Sequence, residues 1–216
     1  MRKSGKPMTC QKCPSLCASR TQIVEPDLPE FECASGTSVA DRRPCRVLVI
    51  GEAPGADEDA QGKGFVGRAG RTLHRLLEEH GLRRGFDYGC ANIVRCRPPE
   101  NRKPTKDEVG NCLSRLSETL VRAKPDALLL VGGTAVSVFC GPGALWGCIQ
   151  EANREEYRTR NPLLAHQAVR EYLSQYRPLL VPMPHTSPLA WNRNAPDGRK
   201  WAEVGAEQVR RMGLAL

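Results

Sequence analysis

The chain has no apolar run long enough to cross a bilayer. Its best candidate, Ala127 to Cys140, is broken by Gly132, Gly133 and Thr134. The basic start, MRKSGKPMTC, is followed by no apolar stretch, so no secretory leader is expected. There is no internal repeat and no low-complexity tract, which excludes a stacked-repeat architecture. The pattern G-x-x-x-x-G-K-[ST] is missing as well, so a P-loop nucleotide site is not supported. The C-x-x-C pair Cys10 and Cys13 has no second C-x-x-C near it, which argues against a zinc ribbon. Any metal site that uses this pair must be completed from far along the chain.

What is present describes one soluble domain. At 216 residues, with 40% hydrophobic and 26% charged content, the chain is long enough to bury a core without covalent staples. Its net charge of +8 suits a polyanionic partner, since neutralising phosphates releases counterions, although a basic surface also serves solubility. Ten cysteines without a leader read as metal ligands or a catalytic thiol rather than a disulfide framework.

Strands and helices alternate. Buried strands are expected over Arg46–Ile50, about Tyr88–Val94, Ala127–Val131 and Leu179–Met183. Helices are expected over Ala69–His80, after a Thr105/Glu108 capping box, and over Trp201–Met212. This order predicts an α/β fold, a three-layer α/β/α sandwich around a mainly parallel four-stranded sheet. Pro26 to Arg43 reads as a surface connection, and Gly141 to Tyr176 as partly helical and solvated. The site of such a fold lies at the carboxyl ends of the strands. Three clusters fall there: Gly51–Asp59, Asn92–Arg102 and His185–Arg193.

In GEAPGADEDAQGKGFVGRAG, residues 51–70, glycines let the backbone approach a ligand beside the carboxylates of Glu52, Asp57, Glu58 and Asp59. The alternative is an acidic helix start. Phe65, one of four phenylalanines, sits among glycines, where a ring can stack on a base or anchor the loop. His185 stands just past a strand in PMPHTSPLAWNRN, and Cys96 lies in a basic, proline-stiffened loop, NIVRCRPPENRKP, that follows another.

GEAPGADED, GFVGRAG, NIVRCRPPENRKP, a cysteine in the next helix, VGGTA and H-x-S-P-L together resemble the iron–sulfur (family 4) uracil-DNA glycosylases, from about Cys10 to the terminal helix. Gly64 and Thr186 stand where that family usually has proline, and the K-R-R-I-H insertion of its DNA-linking relatives is absent after Phe65. The resemblance implies one glycosylase-like domain over 1–216, with a cysteine-bearing segment at 8–24 and a divergent insertion at about 146–176. It implies a [4Fe-4S] cluster on Cys10, Cys13, Cys96 and Cys112, with Cys17 as a rival ligand and zinc as the alternative metal.

The same resemblance implies that Phe65 stacks on flipped uracil and that Asn92 accepts from N3–H and donates to O4. His185 would donate to O2. Glu52, with the Ala53 backbone beside it, would orient water or stabilise the cationic sugar, and Glu58 is a second candidate. Ser187 and Arg193 would hold phosphates, while Leu189 would fill the space left by the base. The implied protein is a cytoplasmic, nucleoid-associated monomer that removes uracil from DNA. The alternatives are a glycosylase for hypoxanthine or xanthine, or a non-catalytic cysteine-cluster module that binds nucleic acid.

Overall fold

The computed structural model describes residues 10–29, 45–154, 163 and 165–216. Its strands are β1 (Val47–Gly51), β2 (Tyr88–Asn92), β3 (Ala127–Val131) and β4 (Leu179–Met183). They form one parallel sheet in the order β2-β1-β3-β4. Every strand residue is buried, as expected of a parallel sheet covered on both faces.

Strand periodicity divides these residues between two cores. Leu48, Ile50, Leu128, Leu130 and Leu180 pack with residues of α4 (Lys106–Ala123), α5 (Gly133–Cys140) and α7 (Gln167–Tyr176). Val47, Val49, Leu129, Val181 and Met183 pack with residues of α3 (Arg68–Glu79) and α9 (Trp201–Ala215). The three-layer α/β/α arrangement follows directly. Pro182 is tolerated inside β4 because that strand pairs only with β3 and lies at the sheet edge.

The capping box is formed: Thr105 Oγ1 accepts from the Glu108 N–H at 3.2 Å, and Glu108 Oε2 from the Thr105 N–H at 2.8 Å. β2 stops at Asn92, two residues short of the expected end. The chain nevertheless keeps following the exit of β1, with Ile93 N donating to Gly51 O at 2.9 Å and Val94 N to Glu52 O at 3.0 Å. This extension sets Asn92 beside the β1 loop.

Short helices α1 (Pro14–Ser19), α2 (Ala56–Gln61) and α8 (Pro188–Trp191) carry too few apolar positions to show a period in sequence. α6 (Leu145–Arg154) and α7 fall within the segment expected to be solvated. They bury Cys148, Ile149 and Ala152, and Val169, Tyr172 and Leu173. The polar Asn-Arg-Glu-Glu-Tyr-Arg run dominated that expectation, and most of it lies outside the described residues, as do 30–43 of the Pro26–Arg43 connection.

The N-terminal segment is anchored to the sheet edge. Asp27 and Cys90 exchange backbone hydrogen bonds of 2.9 and 2.7 Å, and Val24 N donates to Arg95 O at 2.8 Å. The buried Asp59 carboxylate accepts from the backbone N–H groups of Thr21 and Gln22. Segment 10–29 is thereby fixed behind the loops that follow β1.

Candidate active site

The connections from β1 and β3 leave in opposite directions, because β2 lies on one side of β1 and β3 on the other. A crevice opens at that switch point, at the carboxyl ends of the strands. It forms a cavity of about 320 Å³, and Glu52, Ala53, Glu58, Phe65, Asn92 and His185 all line it.

Glu52 leaves β1, and its Oε2 accepts from the hydroxyl of Thr134 on α5. Asn92 closes β2 and is only 9% exposed, yet its amide makes no hydrogen bond among the described residues. Both amide functions are free for a ligand. Gly51 makes this possible, since a Cβ there would lie 2.4 Å from Asn92 Oδ1 and 2.7 Å from Phe65 Cζ. Any side chain at 51 would push the amide and the ring out of place.

His185 follows β4, and its Nδ1 accepts from the Ser187 N–H at 3.1 Å. The ring proton of the neutral form is therefore on Nε2, the remaining donor. Crowding by the surrounding protein lowers the pKa below its ordinary 6.5, and the Glu52 carboxylate opposes that shift. His185 nevertheless keeps an exposed face, and near neutral pH its imidazole is uncharged with the one proton on Nε2.

Folding lowers the pKa of His74 as well, mainly through burial and secondly through Arg84. A base with a lowered folded pKa leaves stability unchanged above 6.5. Below that value it destabilises, because the unfolded chain takes up the proton first. The melting temperature is expected to fall between about pH 7 and pH 5, and to fall less in His185→Gln. Calorimetry across that range checks this; an identical decline in the variant would remove His185 from the explanation.

Glu58 lines the cavity, but both its oxygens are engaged. Oε2 accepts from Gly55 N at 3.1 Å and Oε1 from Gly67 N at 2.8 Å, so it ties two glycine loops together. Ser187 and Leu189 are not among the cavity-lining residues and lie on α8 and its cap; Arg193 lies just beyond that helix. Leu189 is 78% exposed and Arg193 is exposed.

The four expected ligand cysteines converge from three elements. Cys10 and Cys13 precede α1, Cys96 is in the loop after β2, and Cys112 is on the inner face of α4. Arg20 links two of them, with Nη1 donating to Cys96 Sγ at 2.9 Å and Nη2 to Cys10 O at 2.7 Å. Asn111 Nδ2 lies 3.5 Å from Cys13 Sγ. Cys112 lies within electrostatic reach of both Cys10 and Cys13, and Cys96 of Cys10 and Cys112. Cys17 is close too, its thiol donating to Cys10 O at 3.3 Å.

None of the nine described cysteines is in a disulfide. Among the described residues no three ligand groups are spaced to hold a single metal ion. Four thiols brought from the N-terminal segment, the loop after β2 and α4 are a donor set chemically suited to an iron–sulfur cluster or to zinc. Burial pushes the Cys96 and Cys112 thiols upward, so thiolates at those positions call for a bound cation.

Residues 39–206 match the family model of the Uracil DNA glycosylase superfamily. The chain belongs to that superfamily. Within it, a Type-4 uracil-DNA glycosylase of Thermotoga maritima is 46% identical over 94 residues, covering 44% of this chain and 48% of the relative. The Type-4 enzyme of Archaeoglobus fulgidus is 37% identical over 125 residues, 58% of this chain and 55% of the relative. A Type-5 uracil-DNA glycosylase of Pyrobaculum aerophilum is 35% identical over 147 residues, 59% and 63% of the two chains. The chain thus matches about half the length of its Type-4 relatives.

Three residues of the site lie inside motifs read from the sequence but had no role assigned there. Thr134 holds Glu52 across the crevice, and Arg102 lines the cavity while pairing with Glu108 at 2.7 and 2.8 Å. Thr186 donates to Ala69 O at 2.8 Å, a bond that proline, usual at this position, could not make.

Proposed function

We propose that the chain is a monofunctional uracil-DNA glycosylase, which flips uracil out of DNA and hydrolyses its N-glycosidic bond, leaving an abasic site. The observation that carries this reading is the unpartnered Asn92 amide beside the Phe65 ring, in one cavity with an imidazole whose proton is on Nε2. An amide in that setting accepts from uracil N3–H and donates to O4. Cytosine presents the reverse pattern and is refused.

As the bond between C1′ and N1 breaks, its electrons pass to the base and charge grows on O2. The His185 Nε2–H donates there, and its neutrality matches a role as hydrogen-bond donor rather than acid. Thr134 occupies Glu52 Oε2, which leaves Oε1 to orient the water that adds to C1′ or to face the cationic sugar. Leu189 is exposed enough to fill the vacated stack, and Ser187 and Arg193 take flanking phosphates. The net charge of +8 draws the domain to DNA in the cytoplasm, where it works as a monomer.

Cys10, Cys13, Cys96 and Cys112 would hold a [4Fe-4S] cluster, with zinc as the alternative that metal analysis separates. When bound, the cluster supplies a cross-link between the N-terminal segment, the loop after β2 and α4. No reaction step uses it.

The test is incubation with oligonucleotides bearing a single uracil, hypoxanthine or xanthine, followed by alkali. Cleavage at uracil is expected, and His185→Ala should slow it by about 10²–10³-fold. Cleavage only at another base, or at none, refutes the proposal.

A further inference from the structure

The ring proposed to stack on the base stands on an unfavourable backbone. Phe65 has φ 59°, in the left-handed region that a bulky residue rarely adopts. Such a conformation persists only where its surroundings hold it. Gly70 on α3 gives the loop space, because a Cβ there would lie 2.1 Å from Phe65 O. Space alone does not fix the direction of the ring.

Two side chains outside the cavity lining do. Arg84 Nη2 donates to Gly64 O at 2.6 Å, and Nη1 reaches Phe65 O at 3.5 Å. His74, on α3, has Nε2 2.9 Å from Phe65 O and Nδ1 2.8 Å from the Tyr88 hydroxyl. With its proton on Nε2, His74 donates to Phe65 O and accepts from Tyr88. With the proton on Nδ1, it accepts from Arg84 Nη1 at 2.8 Å instead. The first tautomer joins the loop to β2 directly, and the second through Arg84, whose Nη2 holds Gly64 O. Arg84 is anchored in turn by Asp27, its Nε donating to Oδ2 at 2.9 Å.

Resting on the uracil reading above, we propose that His74 and Arg84, held by Tyr88 and Asp27, are positioning residues that set the Phe65 platform. The consecutive carbonyls of Gly64 and Phe65 are taken by this brace, and neither His74 nor Arg84 lines the cavity. Asp27 lies on the same anchored segment as Cys10 and Cys13, so the brace also connects the cysteine site to the platform.

The first test does not need activity. Protein labelled with 4-fluorophenylalanine carries four fluorine signals, and Phe65→Leu identifies the one from position 65. His74→Leu and Arg84→Gln are each expected to shift or broaden that signal while the core Phe139 signal stays in place. The second test is a double-mutant cycle on uracil excision. His74→Leu should lower kcat/KM about tenfold in the parent protein, and less than about twofold when Phe65 is already alanine. An unmoved Phe65 signal in both variants overturns the brace, as do equal losses in the two backgrounds. If the parent protein releases no uracil, the uracil reading fails, and the fluorine signals still decide the brace.

Discussion

Replacing Asn92 with aspartate is expected to lower uracil excision by about 10⁴-fold, the scale on which a site built to hydrogen-bond a group rejects a mismatch. The change is isosteric, so the fit beside Gly51 and Phe65 is kept. What is lost is the donor to O4. A carboxylate would face O4 and also meet the negative charge that grows on the base as it leaves, so the loss should fall on kcat as well as KM. The unpartnered state of the Asn92 amide makes the prediction specific: no protein hydrogen bond is broken by the substitution, and any loss of stability comes from placing a carboxylate in the cavity with Glu52. Single-turnover excision together with a melting curve checks both halves. A loss of only a few fold would mean that Asn92 does not read the base.

Cys96→Ser is expected to act in the opposite way, on the fold first. Cys96 is 6% exposed, accepts from Arg20 and sits four residues after Asn92. If it ligates a cluster, its loss should remove the iron and its broad visible absorbance. It should also release the hold on segment 10–29 and lower the melting temperature on the order of 10 °C. Cys17→Ser should leave iron content intact, as a ligand set of Cys10, Cys13, Cys96 and Cys112 requires. Iron analysis, absorbance and calorimetry on the two variants separate the ligands. Retention of full iron in Cys96→Ser, or its loss in Cys17→Ser, would reassign them.

Asn92, Cys96 and their surroundings were exposed unevenly by the sequence. The four strands were legible because each is a short apolar run closed by a turn, and the capping box at Thr105 and Glu108 placed the start of α4. Of the six cavity-lining candidates, Glu52, Ala53, Asn92 and His185 sit at strand ends, while Glu58 and Phe65 lie further along the glycine-rich stretch after β1. The resemblance to iron–sulfur glycosylases added roles that spacing alone could not assign.

The remainder needed coordinates. α5 follows β3 through Gly132 and Gly133, a pair that reads as a stop, and Gly132 instead starts a helix with φ 87°. Glu58 offered a free carboxylate in sequence, but both its oxygens are committed to Gly55 and Gly67. Neither His74 nor Arg84 belongs to any motif read from the sequence. Their meeting at Gly64 and Phe65 depends on the fold of the α3–β2 connection, which has no local signature.

The central claim is that one crevice recognises uracil in DNA and severs it from the sugar. The most direct measurement is mass analysis of the small molecule released from an oligonucleotide with a single uracil, using protein of known iron content. The account predicts free uracil in step with abasic sites, with the strand intact until alkali is added and no release from Asn92→Asp. Absence of free uracil from fully iron-loaded parent protein would contradict it.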